Sequence, residues 1–95
     1  MAETSSNRVV ITVLGKNRPG IVAGVTRVLS DASVDIRDIT QSIIEDIFTM
    51  TLIADVSAAT LDFTQLQEAL RATGEELGVT VEVQREDVFQ FMYRL

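Results

Sequence analysis

Apolar residues fall in blocks whose spacing changes along the chain. Arg8 to Leu14 is nearly all apolar, which predicts a strand covered on both faces and central in its sheet. Gly15-Lys16-Asn17-Arg18-Pro19-Gly20 predicts a turn, with Pro19 in the first turn of the next helix, where its missing N–H costs nothing. Ile21, Val25, Val28, Leu29 and Ala32 then recur on one helical face, so a helix runs to about Ala32. From Val34 to Glu45 the pattern alternates, but its parity changes. Val34 and Ile36 share one parity and Ile39 and Ile43 the other, and a bulge near Arg37-Asp38 reconciles them. Glu45-Asp46 predicts a tight turn. Ile47 to Val56 predicts a strand with Phe48, Met50, Leu52, Ala54 and Val56 on one face and Ile47, Thr49, Thr51 and Ile53 on the other.

Asp62 starts a second helix, because Gln65 completes a capping box and Leu61 with Leu66 matches a hydrophobic staple. Its stripe is Phe63, Leu66, Ala69, Leu70, Thr73 and Leu77, with Gly74 inside the helix at some cost and Gly78 as its stop. Val79 to Arg85 is the last strand. The order strand, helix, strand, strand, helix, strand is that of the split βαβ, ferredoxin-like class. It predicts an α+β fold: a four-stranded antiparallel sheet with both helices on one face. The strands flanked directly by helix connections belong at its centre. Residues 1–7 read as a flexible leader, 8–86 as the domain, and 87–95 as an apolar C-terminal tail that docks. The tail holds Phe89, Phe91 and Tyr93, three of five aromatics, and Val88, Phe91, Met92 and Leu95 share a helical face. The open sheet face and a partner subunit are its two candidate docking places.

Composition narrows the function. A chain of 95 residues is one domain, and its 46% hydrophobic content suffices for a packed core without staples. There is no cysteine and no histidine, which removes disulfides, thiolate chemistry and the commonest general base and metal ligand. No metal or other cofactor is expected. A net charge of −6 argues against nucleic acid and against anionic membranes. No apolar run approaches the ~20 residues of a membrane span, and the N-terminus lacks the basic-then-apolar order of a signal peptide. A cytoplasmic location is the expectation. The charge is uneven: residues 1–33 carry four bases and two acids, and the remainder four bases and twelve acids. The basic stretch includes Lys16 and Arg18, beside a helix start whose free N–H groups favour an anion. Every helix has such an end, so by itself this is a turn with solvated bases. Asp35 and Asp38, three apart on a strand, point to opposite faces unless the bulge unites them, and read best as solvated charges.

Val13-Leu14-Gly15-Lys16-Asn17-Arg18-Pro19-Gly20-Ile21-Val22-Ala23 resembles the opening of ACT domains, where the first strand ends in a D/N-R-P-G turn that starts the first helix. Ala32-Ser33-Val34-Asp35-Ile36 resembles the start of that family's second strand, usually written G-V-N-I, with Ser33 for glycine and Asp35 for asparagine. Phe89-Gln90-Phe91-Met92-Tyr93-Arg94-Leu95 is similar to the tail of small stand-alone ACT proteins. The chain is also similar to the ACT parts of the glycine-cleavage repressor and formyltetrahydrofolate deformylase. The resemblance implies regulation without catalysis: a homodimer that senses an amino acid or related metabolite at its interface and acts on a separate enzyme or regulator. It implies ligand contacts at Asn17, Arg18, Pro19, Gly20 and Ile21 for the carboxylate and at Asp35 and Ile36 for the amino group, often from the partner. Two other functions compete. One is an ACT-fold interaction module that binds no ligand. The other is a small acylphosphatase-type enzyme using Arg18, which lacks the asparagine such an enzyme needs on a later strand.

Overall fold

The computed structural model describes residues 7–87. The tail predicted over 87–95 lies outside the described residues from 88 onward, as does the leader except Asn7. Asn7 accepts a hydrogen bond from the Val56 N–H (2.8 Å), at the end where the first strand begins.

The elements follow the predicted order: β1 (Arg8–Lys16), α1 (Ile21–Asp31), β2 (Asp35–Ile44), β3 (Ile47–Asp55), α2 (Phe63–Leu77) and β4 (Val79–Arg85). They form one antiparallel sheet in the order β2-β3-β1-β4, so β3 and β1, the two strands that run straight into helices, are central. Each helix crosses over one intervening strand, as the split βαβ arrangement requires. Alternation places Val9, Ile11 and Val13 of β1, Phe48, Met50, Leu52 and Ala54 of β3, and Val79, Val81 and Val83 of β4 on one face. The stripes of α1 (Ile21, Val25, Leu29) and α2 (Leu66, Leu70) close over them, and this single cluster is the core. Burial of side chains of this size is worth about 1.5–3 kcal/mol each before entropy is counted.

β2 and β3 end within one residue of the sequence reading, and two boundaries differ by more. β1 runs two residues further, to Lys16, because Gly15 and Lys16 continue the ladder with Phe48 and Ile47. Gly15 is required there: a Cβ would lie 2.9 Å from the Val79 backbone of β4. Pro19 is not in the first turn of α1. The helix begins at Ile21 with Gly20 as its N-cap at φ 91°, so Pro19 precedes the cap. The left-handed cap turns the chain back over the sheet, and glycine adopts that conformation without a Cβ penalty.

The bulge is where the parity change placed it. The β2–β3 register shifts between Ile36 and Asp38, so Ile36, Ile39, Gln41 and Ile43 share the helix side of the sheet. Gly74 also finds its reason. A Cβ on it would sit 2.8 Å from the Val79 carbonyl and from Val81 Cγ2, so α2 packs on β4 at a distance only glycine permits.

Candidate functional site

The loop Asn17 to Gly20 is held by its neighbours. The Asn17 N–H donates to the Asp46 carbonyl at 2.7 Å, which ties the loop to the β2–β3 hairpin turn. The Arg18 guanidinium donates to the Leu77 carbonyl at 3.2 Å, the last residue of α2. Its positive charge therefore serves the negative end of a helix dipole. Ile21 is buried in the core, so it offers only its backbone to a ligand. Pro19 and Gly20 are exposed.

The start of α1 is open. No side chain caps it, and a Cβ at Gly20 would meet nothing within 4 Å. The first N–H groups of a helix have no intrahelical acceptor and carry the positive end of its dipole. A carboxylate is the group that arrangement suits.

Asp35 and Ile36 lie elsewhere. Asp35 pairs across the sheet with Asp55, which pairs with Arg8 at the first residue of β1. The loop follows Lys16, which pairs with Ile47 at the other end. Eight residue steps separate these ends, about 27 Å of strand. Within one chain, then, the structure brings Asn17 to Ile21 together and Asp35 with Ile36 together, but not the two groups to each other. Ile36 is half-buried against the core, and the Asp35 carboxylate accepts from Arg37 at 3.2 Å on the surface.

The bulge does place Asp35 and Asp38 on the same side, opposite Asp55 and Ile53. Asp38 accepts from the Ile39 N–H (2.9 Å), and Asp55 accepts from the Ser57 hydroxyl (2.6 Å) and N–H (2.8 Å). The Ser57 hydroxyl and N–H hold the Asp55 carboxyl below the usual carboxylate range, with Arg37 and Arg8 adding to this and desolvation opposing it. Among the described residues, no three acidic side chains gather as a metal site.

Sequence reasoning missed a groove between α1 and the start of β2, lined by Ala23, Thr26, Arg27 and Ser30 with Val34, Asp35 and Ile36. The outward face of α1 is legible in the helical period, but its pairing with β2 is set by the packing. It also missed the state of β2. Ile39 (43% exposed), Ile43 (49%) and Ile44 (63%) stand out on an edge strand that the helices do not cover. Among the described residues, no helix is long and apolar enough to cross a membrane.

Comparison with known proteins agrees with this architecture. A family model described as the ACT domain matches residues 7–84. The UPF0237 protein of Methanocaldococcus jannaschii is 46% identical over 89 residues, covering 94% of this chain and 99% of that one. Among solved structures, an ACT domain protein from Streptococcus pneumoniae is similar with a TM-score of 0.76 at 36% identity, covering 90% of this chain and 97% of that chain. A protein assigned as a glycine cleavage system transcriptional repressor has a TM-score of 0.73 at 26% identity, covering 82% of this chain and 44% of that chain.

Proposed function

This chain belongs to the ACT domain family, and from that premise we propose that it is a regulatory module that binds an amino acid or similar metabolite between two copies of itself. The observation that carries the reading is the start of α1. It is uncapped, it opens on free space at Gly20, and it follows the loop on which the family resemblance rests. The ligand carboxylate meets the N–H groups there. Asp35 supplies the counter-charge for the ligand ammonium.

The separation of those two groups calls for a second copy. β2 is an edge strand whose stretch Ile39 to Ile44 carries no charge. Long uncharged edges are templates for further strand pairing. Antiparallel pairing of β2 with the β2 of a second copy reverses the strand. It sets the Asp35 end of one protomer beside the hairpin end of its partner, to which the Asn17 loop is tied. In the register centred on Gln41, Ile39 of each copy faces the partner's Ile43. The reading assigns no chemistry to the chain. It acts in the cytoplasm on a separate enzyme or regulator.

A thermal-shift screen against the twenty amino acids and related metabolites tests this. A ligand at a hundred times its Kd adds ~2.7 kcal/mol. For a domain of this size that raises Tm by roughly 10 °C or more, less if the dimer melts as one unit. The expected result is a strong hit that is lost on Asp35→Ala. No shift across the panel in folded protein overturns the reading in favour of an interaction module without a ligand.

A further inference from the structure

The open face of the sheet, away from both helices, is unevenly covered. Arg8, Val10, Thr12 and Leu14 of β1 all point to it, since Val9, Ile11 and Val13 point to the core. Leu14 is 55% exposed, Thr12 is half-buried, and Val10 is only 3% exposed. Yet Val10 is not part of the core cluster under the helices. Its cross-strand neighbours on this face are Ile53 and Gln84, both half-buried. Three of its neighbours on the next row and at the far end, Thr51, Glu82 and Thr80, are exposed. The cover is thus confined to one corner. It is also intrachain, because Val10 is shielded in a single copy. A second sheet stacked face to face would bury Leu14 as well as Val10.

That corner is where the chain leaves the sheet. Arg85 pairs with Val9 and Gln84 with Val10, after which Glu86 is buried and bridges to Arg8 at 3.4 Å. The corner also holds an unmet polar group. Gln84 Oε1 is buried without a hydrogen-bond partner among the described residues. Beyond Asp87 the sequence continues Val88-Phe89-Gln90-Phe91-Met92-Tyr93-Arg94-Leu95. Six of these eight residues are large and apolar or aromatic, and they need a surface to cover them. Gln90, Tyr93 and Arg94 carry donors that suit the Gln84 carbonyl. Reach is sufficient in either regular conformation. Eight residues span about 12 Å as a helix or ~26 Å extended. Crossing from β4 over β1 to β3 takes about 10 Å.

We propose that the open sheet face is the docking surface for the chain's own C-terminal segment, residues 88–95, seated over Val10, Ile53 and Gln84. The assignment stands whether or not the chain binds a metabolite. Its consequence is that the Val10 corner of this face is closed to a second copy, while the apolar β2 edge stays open to one.

The absence of native cysteine makes a direct test possible. Thr12→Cys on the open face is combined in turn with Phe89→Cys, Phe91→Cys, Met92→Cys and Leu95→Cys. Glu68→Cys, exposed on α2 on the opposite side, serves as the control partner for the same four. A disulfide closes only where Cα atoms come within about 4.4–6.8 Å. Under mild oxidation of dilute protein, at least one Thr12→Cys pair is expected to close within a single chain, at a rate independent of concentration, and no Glu68→Cys pair. Cross-links formed only between chains overturn the proposal and assign the segment to a partner. Equal closure with the control, or none in folded protein, also overturns it. A chain ending at Asp87 gives a second readout. It is expected to bind an apolar dye and to associate further through the uncovered face. If it is folded and unchanged in both respects, the proposal fails.

Discussion

The two helices of this domain are finished in opposite ways. α2 starts on a complete capping box: the Asp62 carboxylate accepts from the Gln65 N–H at 2.8 Å, and the Gln65 side chain accepts from the Asp62 N–H at 3.0 Å. It ends on Gly78 in the left-handed conformation, φ 76°, with Arg18 on its last carbonyl. α1 starts on a bare glycine. It ends in the same kind of reverse turn, with the Val34 N–H on the Leu29 carbonyl and the Ser33 N–H on the Ser30 carbonyl, but the left-handed residue is Ser33, φ 58°. A residue with a Cβ there costs roughly 1–2 kcal/mol. The sheet repeats the contrast. The β4 edge keeps Val79, Val81 and Val83 under α2, while the β2 edge leaves Ile39, Ile43 and Ile44 exposed. One half of the molecule closes both ends of its helix and covers the apolar residues of its edge strand. The other leaves a helix start, a groove and an apolar edge unmet, and those are the features a ligand and a second copy would satisfy.

Three variants probe this contrast. Replacing both edge isoleucines, Ile39→Lys with Ile43→Lys, should have the largest effect. It sets like charges facing each other across the proposed contact between copies, which costs several kcal/mol, so sedimentation should show a monomer. The fold should survive, because exposed positions usually change stability by no more than about 0.5 kcal/mol. A dimer of unchanged strength would remove the β2 edge from the contact. Next comes Asp62→Ala. Loss of a side-chain cap costs typically ~1 kcal/mol, about 4–8 °C in Tm for a domain of this size. Any ligand response should be unaffected, since Asp62 is not among the residues assigned to the ligand. Smallest is Ser33→Gly, expected to raise stability by about 0.5–1 kcal/mol, the relieved strain less the added freedom of the unfolded chain. A denaturant titration reads it directly. A loss of stability there would show that the Ser33 side chain contributes more than its strained backbone costs.

Most of the fold was legible because it is written in local periods. The bulge is the clearest case. A change of parity between Ile36 and Ile39 has few physical solutions, and the register shift between Ile36 and Asp38 is one of them. The capping box at Asp62 and the stop at Gly78 are equally local. The misplacement of Pro19 arose because proline fits both inside a helix start and just before it. The left-handed φ of Gly20 decides between these, and no residue identity states that angle. Arg18 shows a different limit. The pattern reads it as a solvated base and the resemblance as a ligand contact, yet it donates to the Leu77 carbonyl, fifty-nine residues away in sequence.

The sequence by itself determined the elements, their order, the core stripes and the glycine-bounded loop before α1, because each depends on residues within a few positions of one another. The tertiary structure alone decided where those pieces stand relative to each other. Pairing β1 and β2 antiparallel to the same β3 puts the Asn17 loop and Asp35 at opposite ends of the sheet. The same sheet order leaves β2 at the edge, with its Ile39–Ile44 stretch uncovered by either helix. A candidate site that looks continuous along the chain is therefore divided in space. The reason is geometric: strands in a sheet run past one another, and two segments adjacent to one helix in sequence sit at its two ends.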